Sequence, residues 1–201
     1  MKQEQVKELL LQSLEHERGG VQVYETALQC VVNDKLRPEF EKYLDQTRNH
    51  ERILLGVFAN LSLDPEAASP GRTAVKLIGA SLVQAMQTAL RAGPPEAAEL
   101  VACECVVLAE TKDHADWELI AKCAEHSSGH QQAVLQDAAG EVEDEEDEHL
   151  YHSKGWCREL WVKSLGLKAM IPPPEERRHV TTAIGAARAE QASEKDRQRS
   201  R

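Results

Sequence analysis

Apolar residues recur at alternating three- and four-residue steps along four stretches of the chain, the spacing of one buried helical face. The first stripe reads Leu10, Leu14, Glu17, Val21, Tyr24, Leu28 and Val31, and the second Phe40, Tyr43, Thr47, His50, Leu54, Val57 and Leu61. The third reads Leu100, Cys103, Val107, Glu110, His114, Trp117 and Ala121, and the fourth Leu135, Ala139, Val142, Glu146, His149, Ser153, Trp156 and Leu160. Strand-like alternation of β-branched residues is absent, so the pattern predicts an all-α chain. Helices are expected from near Gln3 to Val32, from about Pro38 to Leu61, from Pro95 to about Ala124 and from about Gly129 to Leu165. Between the second and third stripes, Thr73 to Arg91 forms a further amphipathic helix. Gly19-Gly20 sits inside the first helix at roughly 1 kcal/mol per glycine, and would let a neighbouring helix approach closely. Short links between paired stripes and a crossover of about forty residues predict an antiparallel four-helix bundle of two hairpins. This bundle is expected to span residues 1–170. The three prolines Pro172 to Pro174 end it, leaving 171–201 as a flexible polar tail in which Val180 to Ala189 can form a short helix.

Each stripe is interrupted by groups that do not belong in an apolar seam. A buried carboxylate is costly unless something pairs with it, and three glutamates and three histidines fall on the four seams. A carboxylate three residues before a histidine puts both on one helical face, as in Glu146-x2-His149. Dinuclear centres in bundle cores use one Glu from each of two helices and Glu-x-x-His from each of the other two. Glu17 and Glu110 match the single glutamates, Glu146 and His149 match one pair, and His50 matches the second histidine. Thr47 stands where the second pair's glutamate belongs. The halves echo each other: Glu17-x6-Tyr24 answers Glu110-x6-Trp117, and Thr47-x2-His50 answers Glu146-x2-His149.

These motifs resemble the ferritin-like superfamily, most closely the small bacterial ferritin-like proteins of the YciE/YciF type. The Glu-x6-aromatic pattern is similar to rubrerythrin helices. The resemblance covers roughly Gln3 to Leu165. It implies a metal centre, with iron the expected ion and one or two ions bound. Manganese and zinc also suit carboxylate with imidazole. Expected metal ligands are Glu17, His50, Glu110, Glu146 and His149, with His114 and Thr47 as extra candidates. Oxygen or peroxide chemistry in a redox or stress role is the implied activity, whether or not a reaction is catalysed. Thr47 bears on the ion count: Glu17, Glu110 and Glu146 leave one positive charge uncompensated on two divalent ions.

Composition narrows the alternatives. A net charge of -10 argues against a nucleic-acid partner. No apolar run reaches eighteen residues, so no membrane span is expected. The polar start Met1 to Gln5 lacks an apolar signal core, which suggests a cytoplasmic protein. The five cysteines form no CxxC pair and are expected as buried free thiols. The bland alternative is a metal-free structural or interaction bundle, in which Glu17 pairs with Arg48 and Glu110 with Lys112 or His114. A third reading, a substrate oxygenase, needs a pocket reaching the centre. Tyr24 and Trp117 are read as core aromatics, and His126, His130 and His152 as surface histidines. Of the seven acidic residues between Glu141 and Glu148, only Glu146 lies on a seam, and the rest are expected to form a solvated face, with an iron entry path as the alternative. A homodimer through one helix face is left open.

Overall fold

The computed structural model describes residues 1–199, and among these all regular structure is helical. The helices are α1 (Gln3–Cys30), α2 (Arg37–Asn60), α3 (Pro70–Ala92), α4 (Pro95–Glu125), α5 (Gly129–Ser164), α6 (Pro174–Arg177) and α7 (Ala183–Arg199). The ends follow local chemistry. Prolines occupy the first positions of α2, α3 and α4, where the missing N–H costs nothing. Ser69 caps α3 by accepting from the Arg72 N–H at 3.0 Å. Gly129, at φ +62, begins α5 in a conformation other residues resist.

Four helices close a ring of contacts: α1 with α2, α2 with α5, α5 with α4, and α4 with α1. The early residues of α1 and α5 share one apolar cluster with the late residues of α2 and α4 (Leu10, Leu14, Phe58, Ile120, Leu135). The late residues of α1 and α5 share the other with the early residues of α2 and α4 (Tyr24, Phe40, Val106, Trp156). Each helix therefore runs antiparallel to both ring neighbours. Helix α3 lies in the crossover and packs on α1 and α4. Gly19 of α1 faces Gly79 of α3: a Cβ built on Gly79 would stand 3.5 Å from the Gly19 Cα, in ordinary contact, so the two backbones pass close to each other here. Between the two apolar clusters lies a buried layer of polar side chains, among them Glu17, Thr47, His50, Glu110, Asp113, Glu146 and His149. Full burial of each large apolar side chain contributes about 1.5–3 kcal/mol, and these clusters must offset the cost of that layer.

The segment after Met170 differs from the flexible tail expected of it. Its described part folds back as α6 and α7 against α5. The cause is Glu159, wholly buried on α5, which accepts from Ser193 Oγ at 2.8 Å, the Arg197 guanidinium at 3.0 Å and the Met170 N–H at 2.8 Å. Arg158 meanwhile grips Glu175 through two hydrogen bonds at 2.8 and 2.9 Å. Polar residues read as solvent-loving are here the docking contacts. His152 is corrected by the same segment. It is fully buried, 3.3 Å from the Tyr43 hydroxyl, with the Val180 backbone against it. Replacing Glu159 with Ala should loosen α7 by about 2–4 kcal/mol, because the Arg197 guanidinium and the Ser193 hydroxyl lose their acceptor. Amide exchange confined to 183–197 and faster by 100-fold or so would report it.

Candidate metal centre

Five of the predicted residues meet in the polar layer. Glu17 comes from α1, His50 from α2, Glu110 from α4, and Glu146 with His149 from α5. His50 Nδ1 lies 3.0 Å from Glu146 Oε1 and 3.9 Å from Glu17 Oε1. His149 Nδ1 lies 3.5 Å from Glu110 Oε2 and 3.6 Å from Glu146 Oε1. Among the described residues two groups bring ligand atoms within 4.8 Å of one another: Glu17, His50 and Glu146, and Glu110, Glu146 and His149. Glu146 belongs to both. All five residues are at most 3 % exposed.

Most of the atoms that converge are left without partners; Glu17 Oε1, which accepts from Trp117, is the exception. Glu17 Oε2, His50 Nδ1, Glu110 Oε2, both Glu146 oxygens and His149 Nδ1 are buried and make no hydrogen bond. Buried polar atoms are nearly always satisfied, so six orphans facing one another mark a place built for something else. Their opposite ends are held. Glu145 Oε2 takes the Nε2 of His50 at 2.8 Å, and Gln46 Oε1 takes the Nε2 of His149 at 2.9 Å. With Nε2 donating, Nδ1 of each ring carries a free lone pair toward the centre. Trp117 Nε1–H donates to Glu17 Oε1 at 2.8 Å, and Tyr24 donates to Glu110 Oε1 at 2.6 Å. These aromatics are thus more than filler: each reaches across from one single-glutamate helix to the glutamate of the other.

The chain matches no family model, no curated protein and no solved structure. The centre is therefore read from its own geometry.

Thr47 does not supply a ligand atom to either group. Its hydroxyl donates to the Tyr43 carbonyl at 2.9 Å, and its methyl faces Gly20, where a Cβ would come within 3.1 Å. His114 turns outward to Asp147, with Nε2 2.8 Å from Oδ1. The expected structural pairings do not form. Arg48 binds Glu25 and Asp45, and Lys112 binds Asp116. The acidic run is also less solvated than expected. Glu145 holds His50, Asp147 holds His114, and Glu148 holds Lys42.

Sequence reasoning missed Asp113. It is 4 % exposed, its Oδ1 is buried without a partner, and it stands one turn beyond Glu110. Burial first, then repulsion from Glu17, Glu146 and Glu110, holds its carboxyl well above the usual range. Burial does the same to Glu146, reinforced by Glu110 and Glu17. Burial also pushes Glu17 up to about 8, against the pull of His50 and Trp117. Burial would raise Glu110 as well, but the nearby His149 imidazole and the Tyr24 hydroxyl outweigh it and hold that carboxyl below its ordinary value. Crowded carboxylates that resist ionising are what a bound cation would relieve. The imidazole supports are testable. Glu145→Ala and Gln46→Ala should each weaken metal binding about 10–100-fold without changing the number of ions at saturation, as competition titration against a chelating dye would show.

Proposed function

We propose that this chain is a ferritin-like four-helix bundle that binds two metal ions, with iron as the working metal and dioxygen or peroxide as the oxidant. The observation that carries the reading is the set of six buried, partnerless ligand atoms on Glu17, His50, Glu110, Glu146 and His149. Glu17 and His50 would hold one ion, Glu110 and His149 the other, with Glu146 shared between them. Asp113 supports the count of two. It belongs to neither ligand group, but it is buried and close enough to be repelled by Glu17, Glu146 and Glu110, so it would offer a fourth negative charge, from α4 instead of α2, to balance two divalent ions.

Bound iron(II) would supply electrons for reduction of the oxidant. The rest falls to the chain. The apolar clusters above and below the layer keep water from the carboxylates and strengthen their pull on a cation. Glu145 and Gln46 fix the imidazole orientations. Tyr24 and Trp117 each touch a ligand carboxylate directly, which puts two oxidisable side chains within one hydrogen bond of the centre. Tyr24 keeps its proton, since burial and the adjacent Glu110 raise its pKa.

The test is anaerobic Fe(II) titration with elemental analysis and an anomalous-scattering map. Two ions per chain are expected. In Asp113→Asn the second ion should bind about tenfold or more weakly, because one compensating charge is gone. Fewer than about 0.2 ions per wild-type chain would end the metal reading.

One observation favours the rival reading of a metal-free structural bundle. His50 Nδ1 and Glu146 Oε1 lie 3.0 Å apart and His149 Nδ1 and Glu110 Oε2 3.5 Å apart, so a proton shared between each imidazole and its carboxyl group can satisfy the core without an ion. If that is its resting state, Fe(II) will leave the melting temperature unchanged.

A further inference from the structure

A cavity of about 230 Å³ opens between α4, α5 and the start of α7. Its walls include His114, Glu143, Asp147 and Tyr151, and its depth reaches Trp117 and Glu146. Glu146 is the residue common to both ligand groups, and both its oxygens are buried and unpartnered. Thr182 and Ala183, at the start of α7, form part of the rim. The cavity therefore brings solvent up to Glu146, whose carboxylate oxygens stay buried behind its wall.

Its chemistry selects what can pass. Glu143, Asp147 and Glu118 line it, and among the described residues no lysine or arginine does. An acidic cleft with low-dielectric walls raises the local concentration of cations and repels anions. The volume is below the 300–1,000 Å³ or so of sites for drug-sized molecules, which suits a hydrated ion better than an organic substrate. Midway, His114 on α4 meets Asp147 on α5 at 2.8 Å, while His114 Nδ1 stands 4.0 Å from Glu118. The Tyr151 ring lies edge-on to His114 at 6.0 Å. This imidazole and carboxylate span the cleft one turn from Glu110 and next to Glu146 in sequence.

We propose that this cleft is the entry route by which a divalent cation reaches the centre, with His114 and Asp147 forming a transient relay site above Glu146. The proposal rests on the metal-binding reading. His114 then has a role as a way-station ligand and not as a resident one. The acidic run on α5 acquires a purpose, since Glu143 and Asp147 attract the ion and Glu146 receives it. The docked C-terminal segment narrows the mouth.

The experiment is stopped-flow uptake of Co(II), followed by its visible absorption, into chelator-stripped full-length protein at low salt. Wild type is compared with the double variant His114→Ala/Asp147→Asn, with Glu143→Gln, and with Ala183→Trp, which places a bulky ring on the rim. Circular dichroism confirms that each is folded. Uptake should slow by about tenfold or more in the double variant and in Ala183→Trp, with final stoichiometry unchanged, and Glu143→Gln should weaken the salt dependence of the rate. Unchanged rates at normal stoichiometry would overturn the route and leave the centre standing. A lower stoichiometry in the double variant would make His114 or Asp147 a resident ligand and overturn the relay. No Co(II) uptake by wild type would overturn the centre and the route together.

Discussion

Glu146→Gln should abolish binding of both ions and at the same time make the metal-free protein more stable. The two effects have one cause. Glu146 supplies an oxygen to each ligand group, so its loss removes part of both sites. Fe(II) titration should fall to fewer than about 0.2 ions per chain. In the metal-free wild type burial, and then repulsion from Glu110, Glu17 and Glu145, raises the same carboxyl well above its ordinary value of 4.5 and keeps it protonated. Taking up that proton at pH 7 costs stability in proportion to the distance from the unfolded pKa. Glutamine has the shape of the protonated acid and needs no proton, so the variant should gain about 1–3 kcal/mol. That corresponds to about 2–4 °C of melting temperature per kcal/mol for a chain of this size. Metal reverses the ranking. At free metal one hundred times each dissociation constant, wild type gains about 2.7 kcal/mol per ion, about 5.4 kcal/mol for two, and the variant gains nothing. Thermal melts with and without metal measure both signs. An equal metal-induced shift in the two proteins would remove Glu146 from the centre.

The helical framework could be read from the sequence because apolar spacing and helix-breaking residues act locally. The segment Pro95 to about Ala124 is observed as Pro95–Glu125, and Gly129 to about Leu165 as Gly129–Ser164. What failed was the finer choice of step. On α4 the buried seam runs Cys103, Val106, Glu110, Asp113, Trp117, Ile120, Ala124. The stripe traced in sequence passes through Glu110 and Trp117 too, but takes a four-residue step to His114 where the helix buries the three-residue step to Asp113. Either residue fits the spacing alone. The deciding signal was the carboxylate-x2-ligand rhythm of Glu146-x2-His149, which Glu110-x2-Asp113 repeats. His152 and the C-terminal segment were misread for a different reason. Their burial depends on Glu159 and Tyr43 meeting residues distant in sequence, and no local pattern records such pairings. The imidazole supports Glu145 and Gln46 fall in the same class, since each crosses between α2 and α5.

Stability of the metal-free protein should fall as pH rises from about 7 to 8, and the fall should become shallower in Glu17→Gln. Burial holds the Glu17 carboxyl at about 8 against an ordinary value of 4.5. The folded form therefore keeps a proton that the unfolded chain releases. Its contribution is fully present below pH 4.5 and is lost as pH climbs to 8. Asp113 and Glu146 act in the same direction. Glu176, raised by burial to about 7, does so over a range that ends there. Two histidines oppose them. Burial lowers His152 to about 4 and also lowers His16, so below the ordinary value of 6.5 the unfolded chain gains protons that the folded one refuses. Stability from these groups rises with pH and levels off near 6.5. The opposing slopes offset each other in mildly acidic solution, and above pH 7 the carboxylates act alone. The expected slope from Glu17 is about 1 kcal/mol per pH unit, near the limit for one proton. Guanidinium unfolding at pH 6, 7 and 8 in chelator measures it, and parallel curves for wild type and Glu17→Gln would contradict it. Saturating metal should invert the trend, because an ion must displace these protons to bind and does so more easily as pH rises. A core that loses stability above neutral pH when stripped, and gains it when loaded, has its carboxylates arranged for a cation.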